Sequence, residues 1–153
     1  MGRGVGPATV LLETCARLGR QTGAEALVAS VFELPPGASS FPLHVHHANE
    51  EMLIVLAGRP TLRSLDGERE LADGELVACP AGRAGAHRVD NRSDRPVRLL
   101  VVSTMLAPEI NEYPDSGKIW ARTFAPGASP RDDAVDLLVP SDRGHVDYLD
   151  GES

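Results

Sequence analysis

Residues 41–58, FPLHVHHANEEMLIVLAG, constrain this chain more than any other stretch. His44 and His46 are two positions apart. Side chains on a strand alternate between faces, so both imidazoles would leave on one side while Val45 points away. Glu51 follows five residues after His46, beyond a short turn at 47–49, and opens an apolar run, MLIVLA, closed by Gly58. A hairpin of this form sets a carboxylate beside two imidazoles, the donor mix that suits Fe(II), Mn(II), Ni(II) or Zn(II). Glu50 competes for the role, but neighbours on a strand face opposite ways, so an inward Glu51 turns Glu50 out.

A second stretch completes the pattern. Gly74, Pro80, Gly82, His87 and Asn91 read as strand, tight turn and strand, with His87 near the start of the last as a fourth donor. Together the two stretches resemble the paired motifs of the cupin superfamily. The His-x-His pair of the first motif falls on His44 and His46, its glutamate on Glu51 and its closing glycine on Gly58. The glycine, proline, glycine, histidine and asparagine of the second fall on Gly74, Pro80, Gly82, His87 and Asn91. Two spacings depart from the family. Gly37 stands six residues before His44 rather than five, and four residues rather than two separate Gly82 from His87. A longer turn at 83–86 absorbs the extra pair.

The resemblance implies an all-β fold, a double-stranded β-helix (cupin/jelly-roll barrel), with an extended N-terminal strand and a long irregular C-terminal arm. It also implies one divalent metal ion held by His44, His46, Glu51 and His87. The expected organisation is an N-terminal segment at 1–24, the barrel at 25–106 and the arm at 107–153. Within the arm, the pieces at 113–118 and 147–152 are similar to those of a group of small bacterial single-domain cupins.

Length and charge exclude other classes. A chain of 153 residues fits one domain with a sizeable core. Its net charge of −7 argues against a nucleic-acid footprint of clustered Lys and Arg. No run approaches the roughly 18 apolar residues that span a membrane, and the apolar run at 10–12 is too short for a secretory signal. Hence a cytoplasmic protein is expected, with Cys15 and Cys79 reduced. Cys79, beside Pro80, is read first as a small packed hydrophobe and second as a ligand or reactive thiol.

Along the chain, residues 1–7 read as a frayed end, and 8–18 fit a strand or a short helix. Residues 24–34 alternate as a strand before Pro35-Pro36-Gly37. The run after Glu51 is apolar on both faces: one side is the barrel interior, and the other needs cover from an N-terminal strand or a second copy, which predicts a homodimer. Asp66-Gly67 and Asp73-Gly74 mark hairpin turns, and short strands follow at 76–79, 86–89 and 97–103. Beyond residue 107, frequent Pro, Asp and Gly leave only 135–139 and 146–149 strand-like.

For the remaining candidates the plainer reading leads. His47 is a turn residue or a partner behind the ligands; His145 is exposed, or reaches the site as part of a lid. Asn91 stabilises a turn. Arg63 is solvated, or holds a substrate carboxylate in a bidentate grip. Because aromatic residues are only 4% of the chain, the cavity is lined by aliphatic side chains and suits a small-molecule substrate.

Four protein ligands leave an octahedral ion two positions for substrate or dioxygen. Oxidative, dioxygenase-type chemistry is the leading expectation, with iron slightly favoured, because no acid/base pair stands apart from the ligands. The alternatives are a non-redox isomerase, dehydratase or lyase in which Glu51 also moves a proton, and a non-enzymatic small-ligand-binding protein. Metal affinity should fall as acid protonates His44, His46 and His87, below about pH 6 for imidazoles of ordinary pKa near 6.5.

Overall fold

A computed structural model describes residues 14–17, 23–125, 128–142 and 150, the first group as backbone only. The glycine-rich start at 1–7, His145, and the pieces at 146–149 and 147–152 lie outside the described residues or almost wholly so. The strands are β1 Thr14–Arg17, β2 Leu27–Leu34, β3 Val45–His46, β4 Glu51–Ala57, β5 Thr61–Arg63, β6 Glu68–Glu70 and β7 Leu76–Cys79. After a 3-10 turn at Arg83–Gly85 come β8 Arg88–Asp90, β9 Val97–Thr104, β10 Glu109–Tyr113, β11 Lys118–Arg122 and β12 Asp136–Pro140.

One sheet has the order β1-β2-β9-β4-β7; facing strands form the sets β12-β11-β10-β3 and β6-β5-β8. The bridges His44↔His87 and Ser39↔Asp90 join the chain around β3 to the chain around β8. This antiparallel arrangement is the double-stranded β-helix expected from the sequence. Its core is aliphatic, as the shortage of aromatics requires: Leu34, Leu53, Val55, Leu62, Leu71, Val89, Val97 and Leu99 pack into one buried cluster.

Period-two alternation sorts β4. Leu53 and Val55 share a face with Glu51 and are buried, whereas Met52 and Leu56 on the other face are 42% and 44% exposed. Cross-strand register extends that outer face into two apolar rungs, Leu76–Ile54–Leu100–Val31 and Ala78–Met52–Val102–Ala29. The described part of the N-terminal segment, β1, pairs with the edge of β2 instead of lying over these rungs. Among the described residues the outer face therefore has no cover of its own.

The expectation of an irregular C-terminal arm is corrected. Residues 109–113 and 118–122 form a hairpin whose first strand pairs with β3, Asn111 opposite His46 and Glu112 opposite Val45, and β12 adds a further strand. Pro114 and Gly117 frame the turn between β10 and β11, and Ile110, Tyr113, Ile119 and Trp120 lie on the two strands.

Gly58, the last residue of the first motif, ends β4 with φ 94, and an added Cβ would lie 2.8 Å from Val97 Cγ2. Its N–H donates to Asp73 Oδ1 at 2.6 Å, tying the end of β4 to the turn before β7. Replacing it combines a left-handed backbone with a collision against the core. Gly58→Ala should lower the stability of the folded protein by about 1–3 kcal/mol. Urea unfolding of the two proteins with equal m-values checks this; an unchanged midpoint would refute the close-approach argument.

Candidate metal centre

The site grows from one local device used twice. His44 donates its Nδ1–H to the carbonyl of Pro42 at 2.8 Å, and His87 donates its Nδ1–H to the carbonyl of Gly85 at 2.8 Å, each reaching two residues back. The two histidines also pair through their backbones, His44 N–H to His87 O at 3.3 Å and His87 N–H to His44 O at 3.1 Å. This sets their rings side by side with centroids 4.5 Å apart. His46, two residues further along the same face, brings its ring centroid within 5.0 Å of that of His44.

The stretch that exceeds the family spacing by two residues contains the 3-10 turn Arg83–Gly85, so the longer turn positions His87 and supplies the carbonyl that anchors it. Gly85 is required there because a Cβ would meet the backbone of Cys79 and Pro80 at less than 3 Å.

Glu51 enters from the opposite sheet. One carboxylate oxygen lies 3.6 Å from His46 Nε2 and the other 3.0 Å from His87 Nε2. Ligand atoms of His44, His46 and Glu51 all lie within 4.8 Å of one another, and His87 joins them through Glu51. Glu50 is exposed, as strand alternation requires.

Behind His46 stand two residues the sequence reading missed. Glu109 is fully buried and accepts from His46 Nδ1 at 3.3 Å. It also accepts from the backbone N–H of His47 and Ala48 and from the Asn49 amide. Asn111 donates to the Val45 carbonyl at 3.3 Å and lies 2.9 Å from His46 Nδ1. Both belong to β10, and the signal that could have found them is the period-two run Glu109-Ile110-Asn111-Glu112-Tyr113 before a turn.

Pro42 O and Gly85 O can only accept, so His44 and His87 carry a proton on Nδ1 and turn Nε2 toward the site, while His46 Nδ1 faces both the Glu109 carboxylate and the Asn111 amide and its Nε2 faces Glu51. His44, His46 and Glu51 form a group of donors that could hold a divalent first-row ion.

Other candidates fall where the plainer readings put them. Asn91 donates to Leu34 O and Arg95 O and accepts from Ser93, closing its turn. Arg63 is clamped by Asp115 at 2.6 and 2.8 Å and has no free fork for a substrate. His47 is half-exposed, 3.4 Å from Glu112. Cys79 is buried in the core and is the cross-strand partner of Glu51.

Electrostatics follow from this packing. Burial opposes the Glu51 charge, but the hydrogen bond from His87 and the neighbouring imidazoles outweigh it and bring the carboxyl down to about 2. Burial, reinforced by the charges of His87 and His46, lowers His44 to about 4. At His87 burial also opposes charge, yet contacts with Cys79 and Glu51 overcome it and push the imidazole up to about 10. The sequence expectation of ordinary imidazoles is therefore corrected: His44 stays neutral near pH 7, whereas His87 carries a proton there. His44, lowered, removes stability as pH falls from its ordinary 6.5 toward 4, since the unfolded chain takes up that proton more readily. His87, raised, removes stability as pH rises from 6.5 toward 10. Stability of metal-free protein should peak near pH 6.5, and Glu51→Gln should flatten the alkaline limb. Urea midpoints from pH 4 to 10 after chelation test this; a monotonic profile would contradict it.

Comparison with known proteins agrees with this geometry. The sequence profile of the Cupin domain matches residues 30–103. A cupin-superfamily sugar phosphate isomerase from Silicibacter pomeroyi is 28% identical, with a TM-score of 0.74 over 88% of this chain and 80% of that one. A provisionally designated sugar phosphate isomerase from Acidithiobacillus ferrooxidans is 26% identical, with a TM-score of 0.74 over 86% and 78%. A Cupin 2 conserved barrel domain protein from Salinispora arenicola is 26% identical, with a TM-score of 0.52 over 67% and 87%. Among curated proteins nothing matches. The double-stranded β-helix, both motifs and the His-His-Glu group have one explanation in common: the chain belongs to the cupin superfamily.

Proposed function

We propose that this protein is a metal-dependent isomerase acting on a small phosphorylated hydroxy-carbonyl compound, with His44, His46, Glu51 and His87 as the metal ligands. The observation that carries the reading is the Glu51 carboxylate, whose two oxygens address two different histidines, 3.6 Å from His46 and 3.0 Å from His87. Two structures similar along most of their length carry sugar phosphate isomerase names, which supports the substrate class. A divalent ion bound here supplies Lewis acidity to polarise a carbonyl oxygen.

This chain's residues do the rest. The two-carbon relay of an isomerisation needs one group that takes a proton beside the carbonyl and returns it to the adjacent carbon. Glu51 stays ionised across the working pH range, so it is always able to accept. Its low pKa makes it a weak base, so it acts only on a C–H already acidified by the neighbouring carbonyl. Without the ion, His87 Nε2 hydrogen-bonds the carboxylate and orients it toward the other histidines.

The site wall is amphipathic. Tyr113 stacks on His44 with centroids 6.5 Å apart, Phe41 meets the same ring edge-on, and Lys118 Nζ lies 5.7 Å from the Tyr113 ring centroid. Lys118 thus offers a cation for a phosphate beside the rings.

The test begins with elemental analysis of protein purified without chelators, followed by a panel of aldose and ketose phosphates in D2O monitored by NMR. The expected result is one metal per chain and deuterium uptake next to the carbonyl with interconversion of the pair. Glu51→Gln should slow exchange by about 10²–10⁴-fold. Oxygen consumption with substrate cleavage would support the dioxygenase reading instead, and return of every compound unchanged would support a binding protein.

The uncovered rungs on β4, β7, β9 and β2 support a homodimer joined through these faces, with Leu76 at 62% exposure as the most accessible anchor. Sedimentation velocity should give twice the 16.3 kDa chain mass, and Met52→Glu with Leu76→Glu should return it to one. A monomeric wild type at micromolar concentration would refute the dimer.

A further inference from the structure

Arg122 is a buried cation that reaches His46 through one intermediary. Its exposure is 6%, its Nε has no hydrogen-bond partner among the described residues, and the Trp120 ring lies 4.1 Å from the guanidinium carbon. Strand register and alternation put Arg122 on the sheet face of Trp120, Asn111 and Glu109, the face that meets His46. There one terminal nitrogen donates to Asn111 Oδ1 at 2.7 Å.

That contact fixes the Asn111 amide. A guanidinium can only donate, so the amide oxygen faces Arg122 and the NH2 group faces the other way. The Val45 carbonyl, which can only accept, meets the same NH2 at 3.3 Å and agrees with this orientation. The NH2 also lies 2.9 Å from His46 Nδ1. An amide N–H at that distance requires a bare lone pair on the ring nitrogen, so Nδ1 accepts and the ring proton belongs on Nε2. His46 Nε2 in turn faces the Glu51 carboxylate at 3.6 Å, which favours an N–H there.

Glu109 is the competing neighbour. Its Oε2 lies 3.3 Å from the same Nδ1 and favours the opposite tautomer. The longer contact is the weaker one, and this carboxylate already accepts from the Asn49 amide and from the backbone N–H groups of His47 and Ala48. Glu109 therefore loses little without His46. A proton on Nδ1 would instead point at the Asn111 NH2, setting two donors face to face in a buried place.

We propose that Arg122 is a positioning residue for His46: by holding the Asn111 oxygen it turns the amide NH2 onto Nδ1 and keeps the ring proton on Nε2 in the metal-free protein. The consequence for loading rests on the metal reading of the site. His46 Nε2 can ligate only with the proton on Nδ1, so the chain from Arg122 through Asn111 opposes that tautomer while Glu109 supports it. His44 and His87 meet no such opposition, because their Nδ1 atoms donate to carbonyls.

The test is long-range 1H–15N correlation of the imidazoles in full-length protein freed of metal by chelation, with His46 assigned by the signals lost in His46→Gln. Wild-type His46 should carry its proton on Nε2 and have a bare Nδ1, while His44 shows the reverse in the same spectrum. Arg122→Met should move the His46 proton to Nδ1 and leave His44 as it was, a change at one ring that general loosening of the fold would not produce. Because a buried polar group stripped of its partner threatens folding, Arg122→Met combined with Asn111→Leu replaces both ends by apolar side chains and should give the same Nδ1–H form. A wild-type His46 protonated on Nδ1 or on both nitrogens, or a His46 signal unchanged in either folded variant, would overturn the proposal. Zinc is then added to the wild type. Uptake with the His46 proton moved to Nδ1 supports the coupling, and uptake with the proton still on Nε2 overturns it. Absence of uptake refutes the ligand set of the proposed function, while the metal-free spectra still decide the role of Arg122.

Discussion

Everything at the centre of this barrel depends on keeping a buried carboxylate and three buried imidazoles mutually satisfied. An unmade hydrogen bond at one buried polar group costs about 1–3 kcal/mol, and a domain has only about 5–15 in total. Four such groups left unpaired would consume the fold. The chain solves this by giving every ring a partner on its outer nitrogen: Pro42 O for His44, Gly85 O for His87, and Glu109 with Asn111 for His46. The inner nitrogens are then held toward Glu51, so the same bonds that permit burial also create a site. Stability and chemistry have one cause here.

That coupling explains which parts of the molecule were legible in the sequence. The His44-x-His46 alternation, Glu51 at the head of an apolar strand and the turn glycines were readable because each obeys a local rule of period or backbone freedom. Glu51 over Glu50 followed from its six-residue spacing to Gly58 and from strand parity. His87 was readable in type, but the reason it arrives in place, a 3-10 turn closed on Gly85, depends on how near Pro80 passes to that residue, and no local rule reports it.

Glu109 and Asn111 were missed for a different reason. Their hairpin is short, its turn is rich in residues that read as loop, and its pairing partner, β3, lies more than sixty residues earlier in the chain. Contacts of that separation are set by topology. The titration of His87 was also hidden, since it arises from Glu51 on one strand and Cys79 on another.

The hairpin that reaches back to β3 has a consequence for how such barrels are inherited. His44, His46 and His87 lie within the span shared with the family, whereas Glu109, whose carboxylate meets His46 Nδ1, lies beyond it at residue 109, past the matched span 30–103. The three imidazoles and the buried carboxylate behind one of them therefore lie in separate stretches of the chain. A lineage that exchanged its C-terminal hairpin would keep both motifs and replace the wall behind His46, so the surroundings of the site could drift in such proteins while the two motifs stayed the same.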